Sequence, residues 1–253
     1  MQFFIVLSVS PGCPYIKIRR IRVLMFKEAF LAGPIGSLLW LDRYQIGQLM
    51  ISRPIVVGSI IGAVLGDIAT GLAVGVLFEV LWLRRPPIGG FIAPDVTFAS
   101  TVSASIAVIV RSQQHFDVLA LALLSFMLCM PLAFLGSKLD LLVRLCLGKM
   151  AIPSAEAIVE RDSPKVALFF VSSLITAFLI CFVTQVPIII IGAFVLNNFI
   201  KIWPQSLVEG LKFAYLAVPT LGALDMLAGN LERSSLTYFL IGLVATICCY
   251  LIF

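Results

Sequence analysis

Charged residues are scarce in this sequence: Lys, Arg, Asp and Glu together make up 12% of its 253 residues, against about 25% in an average soluble domain. Hydrophobic residues account for 61%, and the mean hydropathy is +1.11. A water-soluble domain of this size cannot bury so much apolar surface. The composition therefore excludes a soluble protein and predicts a membrane protein with several spans, each of about 20 residues.

The sequence also lacks the usual signs of an enzyme or a metalloprotein. Its six cysteines show no Cys-x-x-Cys spacing, which argues against a disulfide framework or a zinc site. His115, the single histidine, has no cluster of His, Cys or Asp around it, and no glycine loop followed by Lys and Ser or Thr is present to bind a phosphate. We therefore expect no catalytic residue, no metal and no cofactor in this chain.

The net charge of +5 does not indicate a nucleic-acid-binding protein. Lys and Arg occur in short clusters between apolar stretches and form no continuous basic face with interleaved aromatic residues. Such clusters are typical of the cytoplasmic segments of membrane proteins. We assign residues 1–24 as a basic N-terminal segment and residues 25–253 as a single transmembrane domain, with Met25 as an alternative start to Met1.

The apolar stretches predict an all-α, polytopic integral membrane protein with broken or re-entrant helices. Helices are expected over residues 26–41, 96–110, 118–136, 166–184, 186–200, 213–228 and 236–253, with a two-part segment over residues 54–83. A loop rich in Pro and Gly is expected over residues 84–95, and a polar connection over residues 137–165.

The segment 55–83 is too long for one plain helix, because its 29 residues would extend over about 43 Å and the hydrocarbon core is about 30 Å thick. Small residues at every fourth position allow helices to pack closely in a membrane. Such glycines occur on both sides of residues 67–70, at Gly58, Gly62, Gly66, Gly71 and Gly75. The sequence predicts two half-spans, residues 55–66 and 71–83, as a broken helix or a re-entrant hairpin.

Two carboxylates lie in this apolar segment, Asp67 at the interruption and Glu79 in the second half. A carboxylate near the centre of a bilayer costs about 3 kcal/mol, so each must be paired, hydrated or bound to a ligand. Carboxylate oxygens accept hydrogen bonds from sugar hydroxyls, which makes both residues candidates for substrate binding. The structural alternative is an ion pair with Arg53, Arg84 or Arg85 that ties the helices together.

Two further polar residues belong to the candidate site. Thr70 follows the interruption, where its alternative role is to cap the second half-helix. Asp95 ends the Pro- and Gly-rich loop, and capping the following helix would by itself explain its presence. We therefore predict Asp67, Thr70, Glu79 and Asp95 as substrate-binding residues.

These residues resemble the IIC membrane subunit of the mannose/fructose/sorbose family of the bacterial sugar phosphotransferase system. The similar features are, in chain order, Arg53-Pro54, Gly62-Ala-Val-Leu-Gly66-Asp67, Thr70-Gly71, Gly75 with Glu79, Ile88-Gly89, Ala93-Pro94-Asp95 and Ala99-Ser100. A weaker similarity lies at Trp203-Pro204 and Glu209-Gly210-Leu211. The run Arg84-Arg85-Pro86-Pro87 departs from the family, since it is more basic and richer in proline.

The resemblance implies a sugar-translocating permease subunit in the bacterial cytoplasmic (inner) membrane. Its partners would be a IID membrane subunit, within a larger oligomer, and soluble IIA and IIB proteins that pass a phosphoryl group to a hexose-type sugar. The chain itself would not be an enzyme, and the sugar would lie among Asp67, Glu79 and the loop that ends at Asp95. Two alternatives are a regulatory or scaffold subunit of an incomplete phosphotransferase system and an ion-coupled secondary transporter.

Overall fold

The structure is a computed structural model that describes residues 14–43, 45–82, 94–114, 116–201 and 203–228. The described residues form eight α-helices and no strand. The helices are α1 (Pro14–Leu41), α2 (Pro54–Leu65), α3 (Ile68–Trp82), α4 (Val96–Gln114), α5 (Val118–Cys129), α6 (Leu132–Val159), α7 (Ser163–Ile200) and α8 (Gln205–Ala228). The expected helix over residues 236–253 and most of the expected loop, residues 84–93, lie outside the described residues.

The helices confirm the prediction of an all-α membrane protein. In the described part of the chain, two stretches are long and apolar enough to cross a membrane: Leu24–Leu41 within α1, and Ser163–Ile200. Helices α5 and α6 meet at a bend of 49° and give a third crossing if they form one broken span. Helices α2 and α3 are apolar but have only 12 and 15 residues, so each extends about 20 Å.

Helix α4 lies at the centre of the bundle. Every residue from Thr97 to Val110 is buried, and the helix contacts α1, α2, α3, α5, α6 and α7. Two buried hydroxyls are satisfied within the helix: Thr101 donates to the carbonyl of Thr97 at 2.8 Å and Ser105 to that of Thr101 at 2.7 Å. The helix predicted over residues 96–110 is confirmed and continues to Gln114.

Helices α2 and α3 form an antiparallel hairpin. The chain reverses at Gly66, whose φ of 89° lies in the left-handed region that favours glycine. The N–H of Gly66 donates to the carbonyl of Ala63 at 3.3 Å, and that of Asp67 to the carbonyl of Gly62 at 2.7 Å. The interruption covers residues 66–67, so α3 starts at Ile68 and not at residue 71 as predicted.

Close contacts at glycines hold this hairpin together. A Cβ added at Gly71 would lie 2.2 Å from the carbonyl oxygen of Gly58 and 2.8 Å from the Cα of Gly62. At Gly75 it would lie 2.6 Å from the carbonyl oxygen of Pro54. Because these neighbours are backbone atoms, they cannot rotate away from a side chain. The glycine spacing is therefore required for the packing of the two helices.

The structure corrects several predicted boundaries. Helix α1 begins at Pro14 and not at residue 26, and α8 begins at Gln205 and not at residue 213. The helix expected over residues 118–136 ends at Cys129, since Pro131 has no N–H to continue the helical hydrogen bonds. The division of the chain at residue 24 stays a prediction, and α1 passes through that position.

The polar connection expected over residues 137–165 is wrong, because α6 continues through most of it. Its charged residues are compatible with a helix: Asp140 and Arg144 lie one turn apart and pair at 3.1 Å. The runs expected over residues 166–184 and 186–200 form one helix, α7. Gln185 does not interrupt it, because its buried amide donates to Cys181 Sγ, one turn earlier, at 3.2 Å.

Gly71→Ala should destabilise the folded protein, because the new methyl group meets two backbone atoms of α2. We expect the free energy of unfolding to fall by about 2 kcal/mol, within the range for overpacked cores. The measurement is the midpoint of thermal unfolding in detergent, which should be lower. Gly148→Ala in α6 is the control, since no atom lies within 4 Å of the added Cβ. Equal midpoints for both variants and the wild type would contradict the tight packing of the hairpin.

Candidate functional site

The four predicted substrate-binding residues lie at two ends of the α2–α3 hairpin. Asp67 and Thr70 lie at its turn, where they contact Arg111 near the end of α4. Glu79 contacts Arg53, just before α2, and Asp95 lies just before α4. Asp95 and Arg111 are separated by 16 residues, or about 24 Å at the helical rise. The structure therefore does not bring the four residues together around one sugar.

The turn cluster consists of Asp67, Thr70 and Arg111. Asp67 Oδ1 accepts the backbone N–H of Thr70 at 3.2 Å, and Oδ2 accepts the Thr70 hydroxyl and Arg111 Nη1, each at 2.6 Å. Arg111 also donates to Thr70 Oγ1 at 2.9 Å. Asp67 is thus the residue that caps α3, so the alternative of a Thr70 cap is wrong. Thr70 is fully buried and supports the ion pair.

Sequence reasoning did not single out Arg111 as a site residue. Asp67 and Arg111 are 44 residues apart, and no local pattern connects them. The available signal was the scarcity of charge: a carboxylate in an apolar segment needs a cation, and Arg111 ends a helix of small residues. Asp67 does form an ion pair, as the structural alternative proposes, and its partner among the described residues is Arg111.

Glu79 lies beside the first turn of α2. Its Oε1 accepts Arg53 Nη1 at 2.7 Å, and its Oε2 faces the N–H of Ile55 at 3.5 Å. A carboxylate at a helix N-terminus is stabilised by the unpaired N–H groups there. Arg53 is one of the three arginines that the structural alternative names as a partner for this residue. The side chain of Glu79 is nevertheless 16% exposed, and that of Arg53 is 47% exposed.

Asp95 is buried, with 1% of its surface exposed. Its Oδ1 accepts the N–H of Phe98 at 3.0 Å and Arg43 Nη1 at 2.7 Å, and its Oδ2 accepts Trp40 Nε1–H. The N–H of Asp95 donates to the carbonyl of Ala133 at 2.8 Å. Asp95 therefore caps α4 and ties it to α1 and α6, as the structural alternative predicts.

The two ends share one electrostatic arrangement, in which each predicted carboxylate is paired with an arginine. The pairs are Asp67 with Arg111, Glu79 with Arg53, and Asp95 with Arg43. They offer charged hydrogen-bonding groups, which can bind a polar ligand. Among the described residues, no group of three or more His, Cys, Asp or Glu is placed to hold a metal ion.

A double-mutant cycle tests the turn cluster. Asp67→Asn and Arg111→Gln each break the ion pair, so the double variant should lose less stability than the sum of the single variants. We expect a coupling of about 1 kcal/mol in thermal unfolding, since both side chains are partly exposed. The exposed pair Glu160–Lys165, at 3.4 Å, is the control and should couple less. Additive losses at Asp67 and Arg111 would contradict the pairing.

Asp95→Asn should destabilise the fold, because the amide nitrogen cannot accept the hydrogen bonds that the carboxylate oxygen accepts. We expect the free energy of unfolding to fall by about 3 kcal/mol. The measurements are the unfolding midpoint and the yield of monodisperse protein, both of which should be lower. Glu79→Gln is the comparison and should cost less, since Glu79 has one short bond and is partly exposed. Equal losses would contradict a structural role specific to Asp95.

The chain matches a known protein family along most of its length. The model of the family EII-Sor, the sorbose-specific IIC component of the phosphotransferase system, matches residues 24–252. A solved chain described as "Structure of membrane protein" is 26% identical with a TM-score of 0.58, and the alignment covers 90% of this chain and 86% of that chain. The cryo-EM structure of the mannose transporter ManYZ with microcin E492 is 26% identical over the same shares, with a TM-score of 0.48. No curated protein sequence matches the chain.

The family match includes the hairpin, helix α4 and both ends of the site, and it confirms the resemblance found in the sequence. IIC components are the membrane subunits through which the phosphotransferase system transports its sugars. The fold agrees with this role, since it is an all-α membrane protein built around a helical hairpin. This chain belongs to the sorbose-specific IIC component family of the phosphotransferase system and is a sugar-translocating permease subunit.

Proposed function

We propose that this permease subunit carries a hexose-type sugar across the bacterial cytoplasmic membrane together with a IID subunit, within a larger oligomer. Soluble IIA and IIB proteins supply the phosphoryl group in this scheme, and the chain itself binds and moves the sugar. The match of residues 24–252 to a sorbose-specific family carries the proposal. Sorbose is a hexose, so the ligand class is a six-carbon sugar with several adjacent hydroxyl groups.

Within the chain, the sugar binds at Glu79. Asp95 is buried and already accepts three N–H groups. Asp67 accepts three donors, all within 3.2 Å. Among the described residues, Glu79 has one short bond to Arg53 and one long contact to Ile55, and its side chain is partly exposed. Glu79 therefore has the most remaining capacity to accept hydrogen bonds from a ligand.

Arg53 and Glu79 together suit a pair of neighbouring sugar hydroxyls. Glu79 Oε2 accepts one hydroxyl in place of its long contact with the N–H of Ile55, while Arg53 donates to the next. The first turn of α2 lies beside them and contributes further N–H groups. Because Arg53 is 47% exposed, the sugar displaces water and does not break a buried bond. Asp67, Thr70 and Asp95 have structural roles in this proposal.

The overall proposal is tested by uptake into membrane vesicles that contain the chain and its IID partner, with IIA, IIB, phosphoenolpyruvate and the soluble proteins that carry its phosphoryl group to IIA inside. We expect labelled sorbose, fructose or mannose to accumulate as the sugar phosphate, and a protonophore to have no direct effect. Failure with all three sugars, alongside an active family member, would favour the regulatory alternative. Uptake that needs the proton gradient and no phosphoryl donor would favour the ion-coupled transporter.

Glu79→Gln tests the position of the sugar, because it removes the negative charge and keeps the size of the side chain. We expect the Kd of the purified complex for the transported hexose to rise about tenfold, the usual effect of losing a charged hydrogen bond. Glu160→Gln is the matched control, since Glu160 lies at the end of α6 and its side chain is 63% exposed. Asp67→Asn should also retain the wild-type Kd.

Two results would contradict this assignment of the site. One is wild-type affinity in Glu79→Gln when the protein is folded, as judged by its unfolding midpoint. The other is loss of binding in Asp67→Asn with no loss in Glu79→Gln, which would move the sugar to the turn cluster.

A further inference from the structure

The connection between α1 and α2, described for residues 42–43 and 45–53, has an unusual backbone. Gln48 and Met50 have φ angles of 50° and 62°. These angles lie in the left-handed region, which is unfavourable for any residue that carries a Cβ. Such a conformation persists only where surrounding contacts enforce it, and it is often found at functional sites.

The carboxylate of Asp42 supplies the contacts that hold this backbone. Its Oδ1 accepts the N–H of Leu49 at 2.8 Å, and its Oδ2 accepts the N–H of Ser52 at 3.2 Å. The two bonds fall on either side of Met50, so one side chain fixes the chain before and after it. Asp42 is 7% exposed. Burial raises the pKa of Asp42, but hydrogen bonds from these N–H groups outweigh burial and hold it below its ordinary value.

The connection leads directly into the proposed sugar site. Arg53 follows Ser52, and its N–H donates to the carbonyl of Met50 at 3.2 Å. The carbonyl of Ser52 accepts the hydroxyl of Thr97 at 2.8 Å, which fixes the same turn to α4. The guanidinium of Arg53 pairs with Glu79 at 2.7 Å. A change in the shape of the connection therefore displaces Arg53 relative to Glu79.

We propose that Asp42 is a positioning residue for sugar binding, because it holds the strained connection in the shape that brings Arg53 to Glu79. This inference rests on the proposed function and deepens it, since Asp42 acts through Arg53 and does not touch the sugar. The fold around it does not depend on the same bonds. Trp40, within α1, binds Asp95 independently of the connection, so α1 and α4 stay joined when Asp42 changes.

The test is Asp42→Asn in the full chain. The Kd is measured on the complex purified with its IID partner, and KM and kcat are measured in the vesicle uptake assay that includes IIA, IIB and the phosphoryl donor. The amide oxygen can accept one of the two N–H groups, and the amide nitrogen can accept neither. We expect the Kd and the KM for the transported hexose to rise about tenfold, while kcat at saturating sugar stays within about twofold. A merely structural role would lower the amount of folded protein and would not shift KM alone.

Leu49→Ala is the control within the connection, because the Leu49 side chain is 71% exposed and the backbone N–H that binds Asp42 is retained. It should bind sugar with the wild-type Kd. Asp42→Glu is the second variant if Asp42→Asn does not fold, since it keeps the charge and displaces the carboxylate by one methylene group. Its Kd should also rise, by less than that of the Asn variant.

Three outcomes overturn the inference: a wild-type Kd in the folded Asp42 variants, an equal rise in Leu49→Ala, or a loss of kcat with unchanged KM. Glu79→Gln measured in parallel separates this inference from the proposed function. If Glu79→Gln binds normally, the proposed site is wrong. If Glu79→Gln binds weakly and the Asp42 variants bind normally, only the role of Asp42 is wrong.

Discussion

The contact between Gly71 and the backbone of Gly58 and Gly62 is the constraint on which the rest of the structure depends. No side chain separates α2 from α3 at this point, so the two short helices can lie against each other along their lengths. Neither is long enough to cross a bilayer alone. Their antiparallel packing places the turn at Gly66 at one end and the start of α2 at the other. The charged residues of the hairpin, Asp67 and Glu79, are found at these two ends.

The ion pairs then fix the hairpin to the central helix. An unpaired charge in surroundings of low polarity is costly, so each carboxylate must lie within reach of a cation. Arg111 joins the end of α4 to the turn, and Arg43 joins the start of α4 to α1. Arg53 joins the start of α2 to the far end of α3. Helix α4 is therefore held at both ends, by contacts about 24 Å apart along its axis.

The hairpin could be predicted from the sequence because its causes are local. The excess length of the segment 55–83 requires an interruption, and the repeat of Gly58, Gly62, Gly71 and Gly75 specifies a close contact. The predicted interruption, residues 67–70, is longer than the observed one, residues 66–67, because Asp67 caps α3 and the helix begins at the next residue. Local residue types do identify caps, but they do not show which of two neighbouring polar side chains accepts the N–H group.

The remaining errors have two physical origins. Polarity along residues 137–165 suggested a connection, but the pair Asp140–Arg144 shows that charges spaced one turn apart are compatible with a helix. The pairing of Asp67 with Arg111 joins residues that are distant in sequence, and the fold alone brings them together. The sequence therefore predicted which side chains need partners, while the packing of α4 determined which partners they have.

The difference in burial among the three ion pairs is consistent with a division of roles. The Asp95 pair is buried and holds three helices, so any change there disturbs the bundle before it reaches a ligand. The Glu79 pair includes the most exposed of the three arginines and lies where the connection from α1 enters α2. If a sugar binds this pair, its effect on the protein passes through Arg53 and Ser52 to the strained residues of the connection. The glycine contacts hold α2 and α3 together as one unit, and the connection held by Asp42 leads into it beside this pair.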